Sequence, residues 1–191
     1  MAPCMVRTRV WRNGTLEKED FPFEQVSDYL AEPDTLVWAD LVSPDDEMLA
    51  QLAEELNLDP HSVEDAMGEN ERPKVKRYPS HLFLTVDPIR LDKHADELLV
   101  GRVSAFSTHR AFVTVRLDDV VDIDSVVQRW DDNPDLIHCG PRALLHGLLD
   151  EIVDCYFDVM DTFDSKVEEI EDLLFDAVSY THLTLPTIYS V

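Results

Sequence analysis

The sequence predicts an α/β fold: a mixed sheet flanked by helices, an α/β/α sandwich, with a long projecting C-terminal helix. Three observations predict it. Short strand-like runs and clearly capped helix starts mix without strict alternation up to about residue 140, which argues against a purely parallel sheet. Apolar residues from Leu145 to Leu174 then recur at three- and four-residue steps, the mark of one long amphipathic helix. A chain of 191 residues with 45% hydrophobic content is long enough to bury a core of its own.

Residues 5–11 alternate apolar and basic side chains and read as a strand. Asn13-Gly14 predicts a tight turn, with residues 15–19 pairing back as a hairpin. A short helix over 23–30 and a buried strand over 36–41 follow. Ser43 is read as the N-cap of the next helix and Pro44 as its first residue. Asp45, Asp46 and Glu47 then lie where the helix dipole favours negative charge, and Met48, Leu49, Leu52, Ala53 and Leu56 share one face. Asp59 and Pro60 start a second helix in the same way, running to Met67. Strands are predicted over 75–78, 81–88, 98–107 and 111–116, with a polar loop over 92–97 and a tight hairpin at 108–110. A helix over 124–130 is broken at Asp131-Asp132-Asn133-Pro134.

The long helix is expected over 141–176, about 50 Å at 1.5 Å per residue. Residues 1–140 and this helix form one α/β domain. Residues 177–191, AVSYTHLTLPTIYSV, contain no Asp, Glu, Lys or Arg and are read as a cloning or read-through tail.

With 40 acidic and 16 basic residues the net charge is −24, which repels nucleic acid and anionic lipid and concentrates cations. Cys4, Cys139 and Cys155 are an odd number without framework spacing, as suits a reducing cytoplasm. His138-Cys139 with His146 matches no standard zinc spacing. The first residues carry no signal peptide, and no apolar run is long enough to span a bilayer. No Gly-rich phosphate loop or nucleophile–base arrangement stands out, so a non-enzyme is expected.

Glu64 and Asp65 sit near the C-terminal end of a short helix, where the dipole disfavours negative charge. Two readings account for them. One is salt bridging to the Arg72, Lys74, Lys76 or Arg77 that follow. The other is a Mg²⁺ site, since hard cations take carboxylate oxygens, with a second carboxylate coming from another subunit. His61, one helical turn earlier, raises the alternative of a soluble metal-dependent hydrolase using His61, Glu64 and Asp65. On the long helix, Asp150, Asp154, Asp158 and Asp161 form an acidic face of mutually repelling charges. It is either a solvated face or one that meets cations or a basic ring.

Several stretches stand in a telling order: Val37-Trp38-Ala39-Asp40-Leu41 with Ser43-Pro44-Asp45-Asp46, then Leu56 to Asp65, then Arg72-Pro73-Lys74-Val75 with Tyr78 and His81-Leu82-Phe83-Leu84. On the long helix follow Arg142-Ala143-Leu144-Leu145 through Asp150, Val153-Asp154, Tyr156-Phe157 and Glu168 to Leu173. Together they resemble the N-terminal cytosolic domain of the CorA family of magnesium and cobalt transporters. The resemblance implies a homopentamer in the cell (inner) membrane, with this domain on the cytoplasmic side. It implies Mg²⁺ bound between subunits and favouring the closed pore, with Asp65 as ligand and Glu64 as secondary candidate. A partner carboxylate on a later stalk helix and the membrane helices are absent from this chain. The cation could also be Co²⁺ or Zn²⁺, the latter in a relative resembling ZntB.

Overall fold

The computed structural model describes residues 5–68, 72–92 and 94–181, with side chains to residue 175. The N-terminal Cys4 and most of the predicted tail, from residue 182, lie outside them. Strands β1 (Met5–Arg12), β2 (Thr15–Glu19), β3 (Thr35–Val42), β4 (Lys74–Arg77), β5 (Leu82–Val86), β8 (Val103–Ser107) and β9 (Ala111–Arg116) form one sheet in the order β2-β1-β3-β9-β8-β5-β4. β3 and β9 are parallel and the other neighbours antiparallel. β6 (Ile89–Asp92) and β7 (Glu97–Val100) pair as a separate hairpin.

Helices α1 (Val26–Ala31), α2 (Asp46–Leu56) and α3 (Pro60–Met67) cover one face of the sheet. Val26, Leu49, Leu52 and Ala66 pack there on Val37, Leu41, Phe83 and Val113. Helices α4 (Ile123–Asp132) and α5 (Pro141–Thr181) cover the other, where Val126, Leu144, Leu148 and Ile152 meet Trp38, Ala105 and Phe112. This is the three-layer α/β/α sandwich that the pattern predicts. α5 has 41 residues, about 60 Å, and its backbone continues five residues beyond the expected end. Residues 167–175 are all exposed, Val167, Ile170, Leu173, Leu174 and Phe175 among them. Among the described residues, no helix is long and apolar enough to cross a membrane.

Three local expectations fail. Ser43 does not cap α2. Its N–H donates to Arg116 O at 2.8 Å, extending the β3–β9 ladder, and its φ is 49°. Asp45 is the cap, its carboxylate accepting the Met48 N–H at 2.9 Å, so Pro44 precedes the helix. The strand expected over 98–107 is two strands in two sheets. Between them Gly101 N–H donates to Pro88 O at 2.9 Å and Arg102 N–H to Asp118 Oδ2 at 2.9 Å. A Cβ on Gly101 would stand 2.3 Å from Asp118 Oδ1, which only glycine avoids. The expected 81–88 strand likewise stops at Val86, before β6 begins at Ile89.

A buried ion pair joins the parallel strands. Asp40 has no exposed surface, and its carboxylate accepts Arg116 Nε at 3.1 Å and Nη2 at 2.7 Å, and Thr114 Oγ1 at 2.6 Å. Arg116 Nη1 also donates to Val121 O at 3.4 Å, holding the segment that leads into α4. Breaking such a pair from one side leaves an uncompensated buried charge, which costs about 3–5 kcal/mol, whereas replacing both partners by apolar groups is often close to neutral. Asp40→Ala should therefore lower the unfolding free energy in urea by about 3–5 kcal/mol, and Asp40→Leu with Arg116→Met should recover most of the loss.

Packing of α4 on α5 depends on a missing side chain. Trp130 donates its indole N–H to Leu144 O at 3.2 Å, and a Cβ on Gly147 would lie 2.4 Å from that nitrogen. Gly147→Ala should displace the indole and lower the melting temperature, although alanine is the better helix former.

Candidate functional site

The helix that carries the predicted metal ligands is short and pinned at both ends. Asp59 caps α3, its carboxylate accepting the His61 N–H at 3.0 Å, and Pro60 occupies the first turn. Ser62 and Ala66 turn inward and are fully buried. Ser62 Oγ hydrogen-bonds Asp59 O at 2.7 Å and the buried His81 ring at Nε2, 2.9 Å. At the far end Gly68 O accepts a hydrogen bond from Arg102 Nη1. With the inward face fixed by Ser62 and Ala66, Glu64 is left exposed and Asp65 half-buried at the edge of the helix.

Asp65 meets a cation supplied by the chain itself. Lys74 Nζ, on β4, lies 2.9 Å from Asp65 Oδ2. The register explains the reach: Lys74 pairs with Thr85 and Lys76 with Phe83, so both lysines project to the face that α3 covers. Lys76 instead extends over the Tyr78 ring, 4.6 Å from its centroid. Asp65 and Glu64 are oxygen donors of the type Mg²⁺ prefers. One half-buried carboxylate already holding an ammonium is nevertheless only part of a coordination shell. Among the described residues no group of three or more His, Cys, Asp or Glu is placed to hold a metal ion. His61, with its side chain 81% exposed, turns its Nδ1 to Asp59 at 3.3 Å, and the structure does not gather His61, Glu64 and Asp65 around one point.

The acidic face of α5 divides. Arg129 of α4 reaches Glu151 with Nε at 2.7 Å, Asp150 with Nη1 at 2.8 Å and Asp154 with Nη2 at 2.5 Å. The hydrogen bonds to Glu151 and Asp154 hold the guanidinium's pKa above its usual range. Asp158 and Asp161 remain exposed. Sequence reasoning missed Arg129 and Glu151. No local signal marks the pairing, because the partners of Arg129 lie 21 to 25 residues away on the next helix.

His81 is 4% exposed, stacked on Tyr78 at 4.8 Å, with a serine hydroxyl on each ring nitrogen: Ser62 on Nε2 and Ser80 on Nδ1, both 2.9 Å. Burial pushes its pKa down, and the Asp59 charge offsets this in part. The folded protein therefore binds this proton less well than the unfolded chain, whose histidines titrate near pH 6.5. The resulting stability is complete above about pH 6.5 and is lost as pH falls through the lower folded value. Urea midpoints measured from pH 7.5 to 5 should fall more steeply for the wild type than for His81→Gln.

A sequence model of the family described as CorA-like Mg²⁺ transporter protein matches residues 33–184. The chain is 26% identical over 155 residues to the putative metal ion transporter YfjQ of Bacillus subtilis, covering 81% of this chain and 46% of that protein. It is 26% identical over 129 residues to the cobalt/magnesium transport protein CorA of Thermotoga maritima, covering 66% and 36% respectively. The chain thus spans less than half the length of these relatives. Its fold superposes on the soluble domain of CorA from Methanocaldococcus jannaschii with a TM-score of 0.62 at 17% identity, covering 88% of this chain and 64% of that one.

Proposed function

The chain belongs to the family of CorA-like Mg²⁺ transporter proteins, and on that premise we propose that it is the divalent-cation-sensing cytosolic domain of a magnesium and cobalt transporter. In this reading it is a non-catalytic part of a membrane-embedded homopentamer, and Mg²⁺ held between neighbouring subunits favours the closed pore. The observation that carries the reading is the placement of Asp65. It is a half-buried carboxylate on a helix anchored to the sheet at Ser62 and Gly68, and the cation it holds is the ammonium of Lys74.

Lys74 supplies the working logic. With no metal present, its ammonium neutralises Asp65. A Mg²⁺ ion arriving with a carboxylate from the next subunit competes with that ammonium, so Lys74 sets the Mg²⁺ concentration at which the interface site fills. Mg²⁺ that binds the closed interface better than the open one stabilises the closed state by the difference in binding free energy, and couplings of this kind are typically worth about 5–150-fold. Asp65 binds, Lys74 competes, and Glu64, exposed one residue away, adds negative potential.

The two residues predict opposite shifts. In the full-length transporter that carries this domain, Asp65→Ala should raise the Mg²⁺ concentration needed to protect the protein from proteolysis. Lys74→Gln should lower it. Protection that responds to neither substitution would place Mg²⁺ sensing elsewhere. Chelation with EDTA should abolish protection in all three proteins.

A further inference from the structure

We infer that the cavity between the β4–β5 end of the sheet and the start of α5 binds a small phosphorylated anion. The cavity has a volume of about 660 Å³, inside the range of small-molecule sites. In a chain with 40 acidic residues and a net charge of −24, no residue lining it carries a carboxylate. It gathers instead Arg77 at the end of β4 and Arg142 in the first turn of α5, with His109 and His138 also on its wall.

The two arginines differ from most others in this protein. Arg7, Arg9, Arg12, Arg102, Arg116 and Arg129 each hold a carboxylate. Arg77 and Arg142 are exposed, and among the described residues neither forms an ion pair. A planar guanidinium matches two oxygens of a phosphate at once, which an ammonium cannot do. Arg142 also stands at the positive end of a 41-residue helix, which favours an anion at the same place. Gly140, the residue before α5, has φ +70° and no side chain with which to cap it.

Size and surroundings narrow the ligand. The cavity exceeds what one inorganic ion fills, and the half-buried Leu82 and Leu145 line it with apolar surface for an organic body. At physiological salt, charges farther than about 8 Å are largely screened, so the local cationic set outweighs the distant acids for a small ligand. A nucleic acid or an anionic bilayer would instead press many charges against the acidic surface at once.

The test is isothermal titration of the whole chain with inorganic pyrophosphate in buffer containing EDTA, so that no divalent ion bridges ligand and protein and the result is independent of the Mg²⁺ reading. Saturable binding is expected, weakened at least about tenfold by Arg77→Gln and by Arg142→Gln, and less by the corresponding lysine variants. Both side chains are exposed, and unchanged melting curves would establish that each variant folds. No saturable heat up to tens of millimolar pyrophosphate, or an affinity that both glutamine variants leave unchanged, would overturn the proposal.

Discussion

The buried Asp40–Arg116 pair is the constraint on which the rest of this structure depends. It sits on the parallel β3–β9 pair at the middle of the sheet, and a carboxylate with no exposed surface tolerates little error in the strand register. Through Val121 O the same guanidinium positions the segment that leads into α4. α4 in turn lies across basic side chains of β1, Arg7 meeting Asp124 at 2.6 Å and Arg9 meeting both oxygens of Asp131 at 3.0 Å. It then grips α5 through Arg129. An order runs outward from one ion pair: parallel strands, α4, long helix. The three tryptophans follow the same route, with Trp130 edge-on to Trp38 at 4.9 Å and to Trp11 at 6.3 Å.

Much of the fold was legible because it is written in local chemistry. Asn13-Gly14 with positive φ at both residues makes the hairpin, Asp59-Pro60 starts α3, and period-two or three-to-four spacing sorts strands from helices. The failures have a common cause. Ser43 has the chemistry of a cap, but its N–H is claimed by Arg116, 73 positions away in sequence. Nothing near Gly101 in sequence announces that Asp118 will bend the chain there. Where a distant residue takes a backbone donor, local propensity gives way.

The candidate site divides along the same line. Asp65 and a basic partner were legible because Lys74 follows within ten residues, and strand parity selects Lys74 and Lys76 as the pair on the α3 side. Arg129 as the partner of Asp150, Glu151 and Asp154 was not, since its contacts span 21 to 25 residues and need the turn between α4 and α5. The anion cavity was less accessible still. Its walls come from residues 77–82, 107–109, 138–142 and Leu145, and the absence of carboxylates becomes visible only once these are side by side.

The proportions of α5 carry a mechanical consequence. The hairpin side of the helix is last touched near Phe163 and Lys166, where Leu91 packs and Asp96 pairs with the lysine. The fifteen residues from Val167 to Thr181 extend about 22 Å past that fulcrum. A tilt of about 5° would swing the far end by about 2 Å, as large as a whole Mg²⁺–oxygen bond. The leverage runs in reverse as well. A load on the far end reaches the domain multiplied, and it is met by the buried seat of Leu144, Leu148 and Ile152 on the sheet and α4, by the Trp130 indole on Leu144 O, and by the half-buried guanidinium of Arg129.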